Sequence, residues 1–135
     1  MKVNQVMNKK VITCHPDEKV SAILNKLKLF NISGMPVVLK GRLVGLISRS
    51  DILGYLSMEM EVAEIDKKEL LTKYNTPAKE IMIKKVITVD PSFTIEEAAR
   101  EMVEHDINML PVVQDDQVVG ILTRGDIVKA LAESM

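Results

Sequence analysis

The chain has no tryptophan, two tyrosines, two phenylalanines and a single cysteine in 135 residues. One cysteine excludes an internal disulfide and fits a reducing compartment, so a cytoplasmic location is expected. Scarce aromatics remove the stacking platforms of single-strand nucleic-acid binders. A formal net charge of −1 gives the whole chain little attraction for a phosphate backbone. No apolar run approaches the ~18 residues of a membrane span, and the first residues lack the charged-then-apolar pattern of a signal peptide. His15, His105 and Cys14 are not in metal-ligand spacing. Neighbours on a strand point to opposite faces, so Cys14 and His15 are not expected to form a thiol–imidazole pair. With no nucleophile–base pair, metal set or glycine-rich phosphate loop, no enzyme is expected. Aliphatic residues and nine methionines must build the core.

What the chain does have is a repeat. Shifted by 75 positions, residues 3–58 fall on 78–133 without a gap, and about 17 of the 56 aligned positions are identical. MNKKVIT (7–13) lands on MIKKVIT (82–88), and VGLISRSDI (44–52) on VGILTRGDI (119–127). Two copies are too few for a solenoid. A copy of this length is marginal alone, so the copies are expected to share one core about a pseudo-twofold axis, with two equivalent clefts. The expected divisions are 1–58, a partly helical connector 59–77, and 78–135.

Each copy reads β-α-β-β-α after a short opening turn (Val3, Val6, Met7; Ile81, Met82), an α+β arrangement. Val11–Thr13 and Val86–Thr88 are β-branched and read as short strands, ended by Pro16 and Pro91. Ile95, Ala98, Ala99, Met102 and Val103 recur at helical spacing, as do Val20, Ile23, Leu24 and Leu27. Thr94 with Glu97 is a capping box. Copy one has Lys19 in place of Thr94, and Asp17 is the expected substitute. Two hairpins turn at Lys40-Gly41 and Asp115-Asp116, with Pro36 and Pro111 at strand starts. Their strands are apolar nearly throughout, as for a sheet covered on both faces.

Chemistry is concentrated in Ser48-Arg49-Ser50-Asp51 and its twin Thr123-Arg124-Gly125-Asp126. Ser/Thr-x-x-Asp between a strand and a helix is the pattern of an N-terminal cap. A helix start also favours phosphate, and an adjacent Asp can accept hydrogen bonds from ribose hydroxyls. Gly45 and Gly120 would let a ligand approach the strand closely.

These residues, in this order, resemble the cystathionine-β-synthase (CBS) domain, and two in tandem resemble the CBS pair, or Bateman module. The resemblance covers 112 of 135 residues. It implies two tandem β-α-β-β-α CBS motifs and a regulatory module that senses AMP, ADP, ATP, S-adenosylmethionine or a related adenosine compound. No other cofactor is implied. It assigns Thr13, Gly34, Met35, Pro36, Ser48, Arg49 and Asp51 in copy one, and Thr88, Asn108, Met109, Leu110, Pro111, Thr123, Arg124 and Asp126 in copy two. The two aspartates would hold ribose, Ser48 and Thr123 ribose or phosphate, and the strand starts adenine, with Met35 and Met109 where the base would stack. Several nucleotide sensors of the family carry a basic residue where Ser33 and Asn108 stand. Arg49 and Arg124, or Lys9, Lys10, Lys84 and Lys85, are then the available cations. A homodimer and a regulated partner protein are expected. An interaction scaffold with vestigial clefts is the alternative, and nucleic-acid binding the weakest reading.

Overall fold

The structure, a computed structural model, describes residues 1–57 and 67–135. Its elements are α1 (Val3–Val6), α2 (Val20–Phe30), β1 (Gly34–Leu39), β2 (Arg42–Ser48), α3 (Arg49–Ser57), α4 (Lys67–Tyr74), a 3-10 turn (Ala78–Glu80), α5 (Ile95–His105), β3 (Met109–Gln114), β4 (Gln117–Thr123) and α6 (Arg124–Glu133). The class is α+β, as expected. α4 supplies the helix expected in the connector, whose residues 59–66 lie outside the described residues.

The chain forms two compact units that do not follow chain order. One joins residues 1–11 and 41–43 to 87–135, and the other joins 12–40 to 44–86. Each unit thus joins the opening segment of one repeat to most of the other.

In the first unit, β3 and β4 form an antiparallel hairpin in which Met109 pairs with Thr123 and Gln114 with Gln117. Arg42 adds an antiparallel pair with Gln117. The turn at Asp115 and Asp116 has φ of 51° and 63°, the double positive φ that matches strand twist in a tight hairpin. Ile95, Ala98 and Met102 of α5 are buried, and Val3 of α1 joins Val89, Leu110, Val112, Leu122 and Ile127 in the core. Val103 does not share that face, because it is 76% exposed. The Thr94 cap forms as expected, Glu97 N–H donating to Thr94 Oγ1 at 3.1 Å. The first helical amide, Ile95 N–H, donates to Met1 O at 3.1 Å.

The second unit repeats the plan. Val20, Ile23 and Leu27 of α2 are buried with Cys14, Met35, Val37, Ile47, Ile52 and Ala78. Full burial of each larger aliphatic side chain contributes about 1.5–3 kcal/mol. Lys40 and Gly41 turn the β1–β2 hairpin at φ 52° and 81°. Asp17 does not cap α2. Its carboxylate pairs with Lys79 Nζ at 3.0 Å, and the first amide of the helix, Val20 N–H, donates to Thr76 O at 2.9 Å.

Two further expectations are corrected. Val11–Thr13 and Val86–Thr88 are not strands. Pairing begins one residue later, as single parallel bridges of Cys14 with Val37 and Val89 with Val112, because Pro16 and Pro91 stop each stretch. Gly45 and Gly120 do not leave room for a ligand. A Cβ at Gly45 would strike the Met82 side chain, and one at Gly120 the Met7 side chain. The methionine that opens each repeat fills the space beside a glycine strand.

Candidate ligand-binding site

Each unit carries one copy of the Ser/Thr-x-x-Asp motif where its second hairpin strand becomes a helix. In the second unit, Asp51 Oδ2 accepts the Ser48 amide at 2.9 Å and the Ser48 hydroxyl at 2.8 Å. The Asp51 amide reaches back to Ser48 Oγ at 3.3 Å. In the first unit, Thr123 N–H donates to Asp126 Oδ2 at 2.9 Å, and Asp126 N–H to Thr123 Oγ1 at 3.2 Å. Both are reciprocal caps, satisfying amides that a helix start leaves unpaired. A carboxylate has about four acceptor positions, and these caps use Oδ2 alone. Oδ1 of each aspartate has no hydrogen-bond partner among the described residues, and both side chains are half-buried.

The residue before each strand start is tied to this cap. Arg49 N–H donates to Ser33 O at 2.8 Å, and Arg124 N–H to Asn108 O at 3.1 Å. Ser33 and Asn108 are therefore one backbone bond from Ser48 and Thr123. Gly34 lies closer still. A methyl group there would stand 2.8 Å from Ile47 O and 3.3 Å from Ser48 Cβ. Met109, its counterpart, pairs with Thr123 and stays half-buried.

Thr13 and Thr88 each precede a residue that the parallel bridges tie to a strand start. Cys14 N–H donates to Pro36 O at 3.1 Å and Val89 N–H to Pro111 O at 3.1 Å. Successive peptide groups on an extended chain face opposite ways, so the Thr13 carbonyl turns outward, where Lys26 Nζ donates to it at 2.9 Å. Lys26 also pairs with Glu18 Oε2 at 2.7 Å. Sequence reasoning missed Lys26, since nothing local links a mid-helix lysine to a residue 13 positions earlier. Glu101 stands at the same place in copy two.

Other assigned residues serve the core. Met35, Leu110, Pro36 and Pro111 are buried, and Met35 is wholly enclosed. Met35 is thus not positioned to stack on a base, and only Met109 keeps an accessible side chain. Arg124 is committed elsewhere. Its Nε donates to Ile107 O at 3.0 Å and Nη2 lies 3.6 Å from Asp106 Oδ1, satisfying the C-terminal end of α5. Arg49 lines an apolar groove with Leu24, Leu27 and Leu53.

The lysine pairs remain exposed. Asn8 pairs with Ile121 and Ile83 with Leu46. Lys9 and Lys10 thus lie in the unit of Thr123 and Asp126, and Lys84 and Lys85 in that of Ser48 and Asp51.

Cys14 is buried, and loss of hydration pushes its thiol up to about 12, with Glu18 adding to the rise and Lys26 opposing it. Among the described residues, no cluster of three His, Cys, Asp or Glu could hold a metal. No helix there is long and apolar enough to cross a membrane.

Residues 3–58 and 78–133 each match the CBS domain. The chain belongs to the CBS domain family as a tandem pair. An uncharacterised protein of Methanocaldococcus jannaschii, MJ1426, is 33% identical, with 97% of this chain and 91% of that protein aligned. Among solved structures, the CBS domain pair of protein MJ0100, in complex with 5′-methylthioadenosine and S-adenosylmethionine, is 28% identical. It matches with a TM-score of 0.80, covering 100% of this chain and 98% of that one. CBSX2 in complex with AMP is also 28% identical, with a TM-score of 0.82, covering 98% and 97%.

Proposed function

We propose that this protein is a non-catalytic regulatory module that binds an adenosine-containing ligand, AMP, ADP, ATP or S-adenosylmethionine, through its two Ser/Thr-x-x-Asp motifs. The observation that carries this reading is the division of labour within each aspartate. Oδ2 holds the helix start, and Oδ1 of each half-buried aspartate has no hydrogen-bond partner among the described residues. An acceptor fixed in this way is preorganised for a ribose hydroxyl, because the cap has already met the cost of ordering it. Adenosine ligands in MJ0100 and CBSX2 support the same chemistry. We further propose that ligand binding regulates a partner protein in the cytoplasm.

Titration calorimetry with AMP, ADP, ATP and S-adenosylmethionine tests this. Heat from at least one compound, with a dissociation constant in the millimolar range or tighter, is expected. No heat from any of them overturns the reading. The complete caps favour one alternative, a scaffold in which both aspartates serve structure alone. Thermal unfolding separates the two, since a ligand at 100 times its dissociation constant stabilises by about 2.7 kcal/mol and a scaffold does not respond.

The module is also proposed to form a homodimer. Leu53 and Val128, at equivalent positions of α3 and α6, are each 65% exposed. Light scattering of a Leu53→Glu, Val128→Glu double variant should report half the mass of the parent. A monomeric parent removes the proposal.

A further inference from the structure

Arg49 lacks the partner that its twin has. The 75-residue offset sets Arg49 against Arg124 and Asn31 against Asp106. Arg124 is held by Ile107 O and by Asp106. Asn31 offers no charge at that place, and the Arg49 side chain has no hydrogen-bond or ion-pair partner among the described residues. Arg49 and Lys28 are both exposed. They border a groove of about 360 Å³ between α2 and α3, whose other walls are Leu24, Leu27, Asn31 and Leu53.

The two helix pairs also differ in the sign of their charge. α2 and α3 carry three cations, Lys26, Lys28 and Arg49, against one carboxylate, Asp51, which is engaged in its cap. α5 and α6, counted with Asp106, carry seven carboxylates against three cations, Arg100, Arg124 and Lys129. Apolar side chains stand out on both pairs. Leu53 and Val128 are each 65% exposed, and Val103 is 76% exposed.

We propose that the groove between α2 and α3 takes the α5–α6 face of a second copy of this chain, so that unlike repeats meet across the dimer. The inference rests on the homodimer proposed above and deepens it by naming which surfaces pair. Two α2–α3 faces brought together would set Lys28 and Arg49 of both copies against one another with no free carboxylate between them, and that repulsion selects against like pairing. The α5–α6 face supplies the missing charge. Asp106, fully exposed at its side chain and 3.6 Å from Arg124, is a carboxylate of the kind that Arg49 lacks in its own copy. Leu53 and Val128 supply apolar area to the same contact, and an isologous pair makes that contact twice. The plainer account is a solvated face with scattered apolar residues, which gives no preference for either arrangement.

Light scattering of charge-reversed chains separates these accounts. A Lys28→Glu, Arg49→Glu chain makes both faces acidic and should show half the mass of the parent. Mixed with a Glu101→Lys, Glu104→Lys, Asp106→Asn chain, it should recover the dimer mass. Crosslinking gives a second reading that leaves the charges alone. Leu53→Cys and Val128→Cys chains, co-expressed and treated with a short bismaleimide, should yield a covalent dimer of mixed mass, and neither variant alone should crosslink. Cys14 is buried and does not compete. A dimer that survives the Lys28→Glu, Arg49→Glu change, a mixture that stays monomeric, or any other crosslinking pattern overturns the pairing while the homodimer stands. A monomeric parent overturns both.

Discussion

A single oxygen of Asp51, Oδ2, accepts both the amide and the hydroxyl of Ser48, at 2.9 and 2.8 Å. The residue that would recognise ribose is the same one that starts α3. Asp51→Ala and Asp126→Ala should therefore lower stability by about 1 kcal/mol each, the size of a lost helix cap. They should also weaken adenosine-ligand binding by roughly ten- to hundred-fold, corresponding to about 1.5–3 kcal/mol for a hydrogen bond to a charged group. Urea unfolding and calorimetry on the same samples check both effects. Loss of stability with unchanged affinity in both single variants and the double variant would assign the aspartates to capping alone.

Gly34 and Gly54 should respond to alanine in opposite directions. A Cβ at Gly34 would stand 2.8 Å from Ile47 O, a backbone atom that cannot swing aside. Gly34→Ala should cost about 1–3 kcal/mol, as overpacking does. Gly54 lies within α3 with nothing within 4 Å of the added atom. Gly54→Ala should stabilise by about 0.5–1 kcal/mol through better helix propensity. Paired thermal melts are sufficient to read the two signs.

Cys14 should be inert in the folded protein. A thiol at about 12 holds almost no thiolate at pH 8, and the thiolate is the reacting form. Iodoacetamide at pH 8 should leave Cys14 unmodified for hours and label it rapidly in 6 M guanidinium, as intact-mass measurement would show. Rapid native labelling would contradict the burial described for this residue.

Two exposed carboxylates predict how stability changes in acid. The Lys79 side chain, through a hydrogen bond and its charge, lowers the Asp17 carboxyl from its ordinary value, and hydrogen bonds from Ser92 lower Asp90. A carboxylate lowered in the folded state adds stability above its unfolded pKa, near 3.9, and loses it as pH falls through the lower folded value. Urea midpoints should therefore drop below about pH 4. The gap between the parent and an Asp17→Asn, Asp90→Asn variant should close over the same range. A gap that does not change with pH would rule out these pairs as its source.

Tyr55→Phe removes the hydroxyl that meets Thr76. It should cost about 0.5–1.5 kcal/mol, the net worth of one hydrogen bond, measured by chemical denaturation. Ligand binding at the Asp126 half-site should not change.

Much of this architecture was legible because it is local. Ile95, Ala98 and Met102 declare α5 by spacing, Thr94 and Glu97 declare its start, and Lys40-Gly41 declares a hairpin turn. The Ser48–Asp51 and Thr123–Asp126 caps were readable for the same reason, since each closes within three residues. What could not be read connects distant stretches of chain. Met7 fills the space beside Gly120, Lys26 holds the Thr13 carbonyl, and Thr76 O takes the first amide of α2 in place of Asp17. None of these has a sequence period or a turn signature.

Val3 is buried with residues of the second repeat, and Ala78 with residues of the first. A gene cut between the repeats would therefore yield two fragments that each lack a piece of their own interior. Neither half should fold on its own, and mixing them should restore both only when each lends its first residues to the other. A lone repeat would face the same need, and it could meet it only by exchanging that segment with an identical chain.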